Sequence, residues 1–327
     1  MAKAGFAAIV GRPNVGKSTL MNTLIGQKIA ITSYKPQTTR NRIRTVYNDE
    51  RGQIVWIDTP GINEAKDKLG SYMVKAALGT LKDVDVNVWL IEPKIPLNEE
   101  DIKVLHAVAS SGTPTILCIT KVDTVKKEML LPVISAYSAE WKKESKDEME
   151  IIPVSSRTKV GLSDLTSAVF SRLPEGEPFY DPETITTQTE REIAQEIIRE
   201  KVLRYVNEEV PHGIAVQIQD MRFRHKMNGP GTSKEKQSDG KAFDSGFSDS
   251  SLLCDIQADI ICEKDNHKAI IIGAKGQMLK KIGTASRRDI ENLVGCQVNL
   301  KLFVKVRKGW KNDPSALRQY GYNEKDL

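Results

Sequence analysis

Gly11-Arg12-Pro13-Asn14-Val15-Gly16-Lys17-Ser18 decides how this chain is read. The octapeptide has the form G-x-x-x-x-G-K-[ST] and stands between an apolar run, Phe6–Val10, and a helix-period segment, Lys17–Ile25. A strand, a glycine-rich turn and a helix in that order make a phosphate cradle. Backbone N–H groups turn inward and the helix N-terminus adds partial positive charge. Every position from Gly11 to Thr19 is a candidate phosphate contact. Lys17 can reach the outer phosphate oxygens, and Ser18 offers a hydroxyl ligand to Mg²⁺.

Around this loop the first half keeps one rhythm. Phe6–Val10, Ile54–Ile57, Val86–Ile91, Thr115–Ile119 and Ile151–Val154 are short, continuous runs rich in β-branched residues. Helix-period segments such as Leu69–Leu81 and Asp101–Ala109 lie between them. Apolar strands alternating with helices predict an α/β, doubly wound parallel sheet covered on both faces. Pro174, Gly176 and Pro178 form a breaker cluster. The expected division is 1–174, a linker at 175–189, and a second domain at 190–327.

Three further segments leave strand ends of the first half. Asp58-Thr59-Pro60-Gly61-Ile62 places a carboxylate where it can hold Mg²⁺ through water, and the Gly61 N–H can bond a third phosphate. Thr120-Lys121-Val122-Asp123 follows Thr115–Ile119. The Asp123 carboxylate can accept from guanine N1–H and the exocyclic amine, a pair adenine does not offer. A buried acceptor left unpaired costs roughly 1–3 kcal/mol, so such a site rejects adenine. Val154-Ser155-Ser156 can present backbone N–H groups to guanine O6. The guanine motif usually begins with Asn. Thr120 keeps a hydroxyl but lacks the amide, which puts one loop-tethering hydrogen bond in question.

The second half differs. Glu190–Val206 carries Ile193, Ala194, Ile197, Ile198, Val202 and Tyr205 on one helical stripe. Ile214, Val216 and Ile218 alternate as a strand, as do Cys254 to Cys262 and Val298 to Val306. Two short helices are expected around Gly273–Gly276. The order helix, strand, strand, helix, helix, strand predicts an α+β unit with a three-stranded sheet. Arg222–Ser251, rich in Gly, Ser, Lys and Asp, reads as an extended insertion at a hairpin tip. Its role is unreadable from sequence.

Charge in this half reads either as the footprint of a polyanion-binding module or as a solvated charged face. Lys264–Lys311 holds twelve Lys or Arg against three Asp or Glu, while the whole chain is only +5. The composition, 39% hydrophobic and 28% charged, is that of an ordinary globular protein. No apolar run approaches the roughly 18 residues of a membrane span. The first residues carry no secretory or transit pattern. Cys118, Cys254, Cys262 and Cys296 have no metal-binding spacing; all but the ambiguous Cys296 sit in apolar runs and read as reduced. A secreted, disulfide-stapled or membrane-spanning protein is not expected.

Taken together, these residues resemble the bacterial Era GTPase family. The resemblance is carried by Asn14 in the loop, Pro36-Gln37-Thr38-Thr39-Arg40, and Asp58-Thr59-Pro60-Gly61. In the second half it rests on Val210-Pro211-His212-Gly213-Ile214-Ala215-Val216, Gly273-Ala274-Lys275-Gly276, Lys305-Val306-Arg307-Lys308-Gly309-Trp310 and Leu317-Arg318-Gln319-Tyr320-Gly321-Tyr322. It covers nearly the whole chain except Arg222–Ser251. It implies a GTPase domain followed by a type II KH domain that binds the 3′ end of small-subunit (16S) ribosomal RNA on a 30S-type precursor. It implies GTP and GDP as ligands, Mg²⁺ held by Ser18, Thr39 and Asp58, and K⁺ held by Asn14. Thr39 would be the switch residue, with Thr38 as the alternative, and Lys17, Thr39 and Asn14 would serve catalysis.

Ile62 stands where related enzymes carry a glutamine that orients the attacking water, so slow turnover is expected. The turn Gly273-Ala274-Lys275-Gly276, followed by Lys280, Lys281, Arg287 and Arg288, is the expected RNA contact. His212 and Trp310 read equally as packing residues or RNA contacts. The expected protein is a monomer of the bacterial cytoplasm, with a trimmed organelle protein as the alternative. Competing readings are an RNA-binding module on a nucleotide-binding scaffold and a peripheral, membrane-associated cell-cycle regulator.

Overall fold

Five apolar runs become strands of one six-stranded sheet: β1 (Lys3–Val10), β3 (Gly52–Asp58), β4 (Val86–Ile91), β5 (Thr115–Ile119) and β6 (Glu150–Pro153). The computed structural model describes residues 2–323 except 34, 36, 146, 207–212 and 226–250. It divides into two units, residues up to 187 and 188–322. Among the described residues no helix is long and apolar enough to cross a membrane.

In the first unit the strand order is β2-β3-β1-β4-β5-β6. Side chains of β1 alternate between two cores. Ala7 and Ile9 pack with Leu20 and Met21 of α1 (Lys17–Ile25) and Leu165, Val169 and Phe170 of α5 (Leu162–Arg172). Ala8 and Val10 pack on the other face with Ala77 of α2 (Lys68–Thr80), Val104 and Leu105 of α3 (Glu99–Ala109), and Tyr137 and Trp141 of α4 (Leu130–Glu144). Each fully buried Ile or Leu contributes about 1.5–3 kcal/mol, so both faces hold the strand in place. The chain order reverses at β1, between β3 and β4. Ligands of such sheets bind at the carboxyl ends of the strands beside that reversal, where the loop Gly11–Ser18 begins.

The sheet is not wholly parallel. β2 (Ile43–Asp49) pairs antiparallel with β3 at the edge. Its sequence, Ile-Arg-Thr-Val-Tyr-Asn-Asp, has no continuous apolar run, because an edge strand buries only part of its surface. The expected linker also behaves differently. The Val46 N–H donates to the Ile185 carbonyl at 2.8 Å, and Thr186 Oγ1 donates to the Arg44 carbonyl at 2.7 Å. Gln53, fully buried, accepts from the N–H groups of Phe179 and Tyr180 and donates to Asn48 Oδ1 and the Tyr180 carbonyl. Residues up to 187 therefore cover the β2 edge, satisfying polar groups that would otherwise be exposed for pairing.

The second unit runs α6 (Glu190–Tyr205), β7 (Ala215–His225), β8 (Leu252–Cys262), α7 (Asp265–Ile272), α8 (Gln277–Val294), β9 (Gln297–Val306) and α9 (Pro314–Gln319). Its sheet order is β7-β8-β9, with β7 antiparallel and β9 parallel to β8. Two expectations are corrected. The helix after the glycine turn is 18 residues long, not short, and ends at Gly295 in the left-handed region. β7 continues through Arg222–His225, pairing Arg222 with Asp255 and Phe223 with Cys254. Arg222 and Arg224 disguise the alternation because they lie on the wet face, where Arg224 pairs with Asp255. The remainder of the expected insertion, 226–250, lies outside the described residues, as do Pro36, Val210, Pro211 and His212. All four cysteines, Cys296 included, are buried.

Candidate functional site

The loop Gly11–Ser18 leaves β1 and feeds α1. Gly61 is fixed by contact: a Cβ there would stand 2.8 Å from the ring and nitrogen of Pro13, so no side chain fits without moving the loop. The Ile62 N–H donates to the Gly11 carbonyl at 3.2 Å. The Ile62 side chain packs in the core beneath, so residue 62 ties two loops together and offers no polar group to water.

Lys17 is buried, and its Nζ donates to the Gly11 and Arg12 carbonyls at 3.1 and 2.9 Å. Burial pulls its ammonium down to about 8, although Asp58 opposes the change. Thr19 is exposed in the first turn of the helix, beyond the loop itself.

Three oxygens from distant segments converge beside it. Ser18 Oγ lies 2.6 Å from Asp58 Oδ2 and 2.8 Å from Thr39 Oγ1, and Thr39 Oγ1 donates to Asp58 Oδ2 at 3.2 Å. Asp58 is fully buried, and burial raises its carboxyl above the usual range against the pull of Lys17 and the two hydroxyls. Among the described residues its buried Oδ1 has no hydrogen-bond partner. Two hydroxyls and a carboxylate with one idle buried oxygen fit a hard divalent cation such as Mg²⁺. Ser18, Thr39 and Asp58 would hold it. Thr38, the alternative, donates instead to the Lys35 carbonyl at 2.6 Å. Thr59 Oγ1 is spent on the Ile9 carbonyl at 2.8 Å, so Thr59 and Pro60 shape the turn.

The segment Thr120–Asp123 starts at the end of β5. Thr120 Oγ1 lies 2.7 Å from the Val15 carbonyl and 2.9 Å from the Ile91 carbonyl. The hydroxyl therefore ties this loop to the phosphate loop without an amide. Lys121 has φ +54° and donates from Nζ to the Asn14 carbonyl at 2.8 Å. Asp123 stands in the 3₁₀ turn Val122–Thr124. Its carboxylate accepts from Ser155 Oγ and from Arg157 Nε at 2.7 Å, and those bonds hold it below the usual carboxylate range.

One expectation fails here. The Ser155 N–H is committed to the Val160 carbonyl at 3.0 Å, so Ser155 contributes its hydroxyl to Asp123 and no amide to a base. Ser156 is half-buried beside it.

Sequence reasoning passed over Glu92, Asp101 and Tyr137. Arg12 donates to Glu92 at 2.8 Å and to Asp101 at 3.3 Å, and Tyr137 donates to Asp101 at 3.0 Å. A carboxylate following β4, as Asp58 ends β3, was the available signal.

In the second unit Gly273-Ala274-Lys275-Gly276 joins α7 to α8. Gly273 has φ +70°, and a Cβ there would meet Met278 at 2.7 Å, so only glycine fits. A groove of about 500 Å³ runs between α8 and β9. Leu279, Val298, Leu300 and Leu302 give it an apolar floor; Gly276, Lys280, Gly283 and Arg287 line it as well. Unpaired bases can lie on such a floor while Lys275, Lys280 and Arg287 meet phosphates.

Lys281 does not join them. One residue on, it is turned away from that lining, and its Nζ sits 4.5 Å from the Tyr205 ring centroid. Trp310 is fully buried, donates to the Gly213 carbonyl at 3.0 Å and packs on Tyr320 and Tyr322. It is a packing residue.

Comparisons with known proteins agree on both halves. A family described as 50S ribosome-binding GTPase matches residues 6–121, and the KH domain family matches 248–311. GTPase Era of Clostridioides difficile (strain 630) is 43% identical over 99% of this chain and all of its own length. GTPase Era of Ruminiclostridium cellulolyticum is 42% identical over 98% of this chain and 97% of its own. A crystal structure of Era with MgGDPNP and nucleotides 1506–1542 of 16S ribosomal RNA aligns at TM-score 0.86 and 35% identity, covering 99% of this chain and 100% of that one. A single-substitution variant of Aquifex aeolicus Era bound to GDP·AlF4⁻ aligns at 0.85 and 36% identity, covering 98% and 99%. The chain belongs to the Era GTPase family.

Proposed function

We propose that this protein is a GTP-hydrolysing switch that binds the 3′ end of 16S ribosomal RNA through its KH unit and acts in small-subunit assembly. The observation that carries the reading is the meeting of Ser18, Thr39 and Asp58 oxygens within 3.2 Å of one another, next to Lys17. Thr39 reaches this cluster from a segment between α1 and β2, so whatever sits there sets the position of that segment. Relatives solved with MgGDPNP, with GDP·AlF4⁻ and with a 16S fragment support the ligand and the partner.

The residues divide the work. Asp123 accepts from guanine N1–H and its exocyclic amine, displacing Arg157. Lys17 and the inward N–H groups of Gly11–Ser18 bind the phosphates and stabilise the charge that develops during in-line attack by water. Mg²⁺, when bound, neutralises phosphate charge. In this reading the Gly61 N–H bonds the γ-phosphate. Ile62 gives water no partner, so intrinsic turnover is slow.

A potassium ion at Asn14 and the bacterial cytoplasm as the site of action belong to the same reading, as does a monomeric state. The test is competition: unlabelled GTP should displace a fluorescent GDP at least about a hundred-fold better than ATP. Equal displacement would refute the reading. Replacing KCl by NaCl should slow hydrolysis without weakening GDP binding; equal rates would remove potassium from the account.

A further inference from the structure

Glu92 follows β4 at the sheet end from which both nucleotide loops emerge, and none of the nucleotide, Mg²⁺ or RNA roles assigned above uses it. It is only 9% exposed. Arg12 Nη2 and Lys94 Nζ each donate to its Oε2 at 2.8 Å, and Lys121 Nζ donates to its Oε1. Although burial raises its carboxyl, hydrogen bonds from Lys121, Lys94 and Arg12 hold it at about 2.

Two of these cations come from the nucleotide loops: Arg12 is the second residue of the phosphate loop, and Lys121 immediately precedes the 3₁₀ turn that carries Asp123. They are 109 positions apart in sequence. Each also has a second anchor, Arg12 on Asp101 and Lys121 on the Asn14 carbonyl. A half-dry carboxylate with charge-assisted donors on both oxygens is a rigid bracket.

We propose that Glu92 is a positioning residue for nucleotide recognition: it fixes the phosphate loop to the guanine-reading loop, so that Asp123 is set at the right distance from the phosphates. The inference rests on the guanine-nucleotide reading above. Lys94 is 73% exposed on its side chain and belongs to neither loop, so it adds charge without bracketing anything.

The test uses the full-length protein and Glu92→Gln, which keeps the shape but turns an amide N–H₂ toward a cation. Release of methylanthraniloyl-GDP and the preference for GTP over ITP, which lacks the exocyclic amine, are measured. Release should accelerate about ten-fold, and the GTP preference should fall several-fold, with kcat at saturating GTP within about two-fold of the original. Lys94→Gln should change neither readout.

An unchanged release rate and preference in Glu92→Gln overturn the proposal. So does an equal loss for GTP and ITP accompanied by a lower melting temperature, which marks a merely structural ion pair. Should Glu92→Gln not fold, Glu92→Asp, which keeps the charge but shortens the reach to both loops, carries the same expectations. If the unaltered protein does not prefer GTP to ATP, the underlying reading fails instead.

Discussion

Replacing Thr120 by valine isolates one hydrogen bond. The residue is buried, and valine keeps its shape, so no cavity opens. The hydroxyl has one proton and two carbonyls within reach, Val15 at 2.7 Å and Ile91 at 2.9 Å. The Ile91 carbonyl also accepts the Thr120 N–H at 2.8 Å, so it stays satisfied. The Val15 carbonyl therefore loses its tether. A buried acceptor deprived of its donor costs about 1–3 kcal/mol. At about 2–4 °C per kcal/mol for a unit of this size, the melting temperature should drop by about 4–8 °C at a mid-range cost of about 2 kcal/mol. Melting followed through the buried Trp56 and Trp89 reports on this unit. Methylanthraniloyl-GDP should also leave faster, because Val15 lies within the phosphate loop. A melting temperature within about 1 °C of the original and unchanged release would show that the hydroxyl tethers nothing.

Other outcomes follow from the same geometry. Phosphate needs the charged form of Lys17, whose pKa in the free protein is about 8. The folded value lies below the unfolded one, so above pH 8 binding must take up a proton, and GDP affinity should fall about ten-fold per pH unit; constant affinity to pH 9.5 would contradict this. Ser18→Ala removes one of the oxygens meant for Mg²⁺ and should abolish most of the gain in GDP affinity that magnesium gives, as read by titration with and without EDTA. Gly283→Leu should weaken RNA binding while leaving GTP hydrolysis intact, since a Cβ there stands 3.5 Å from Leu302, in ordinary contact, and a longer side chain fills the groove. Gln53→Ala should cost about 1–3 kcal/mol and expose residues 175–187 to proteolysis, because the N–H groups of Phe179 and Tyr180 lose their acceptor.

The sequence was most legible where local chemistry and long-range packing ask for the same residue. Gly11–Ser18 needs glycines, a lysine and a hydroxyl wherever it occurs, and the apolar runs of β3, β4 and β5 need two covered faces. β2 was hidden because an edge strand can be half polar, and the end of β7 because Arg222 and Arg224 sit on its wet face. Residues 175–187 carry breakers typical of a linker, yet the buried Gln53 side chain holds part of them in place. Side-chain direction was the other limit. Lys280 and Lys281 look equivalent in sequence, but one helical step of about 100° places only the first in the groove. Likewise the Ser155 amide was available on paper and is taken by Val160. The Glu92 bracket joins residues far apart in sequence, and only the fold brings them together.

The central claim is that the nucleotide held by the first unit governs how tightly the second grips RNA. Anisotropy of a labelled 3′-terminal 16S fragment, titrated with the full-length protein in Mg²⁺ with GDPNP or GDP, tests it directly. Binding at least about ten-fold tighter with GDPNP is the expected result. The same dissociation constant with either nucleotide would contradict the account.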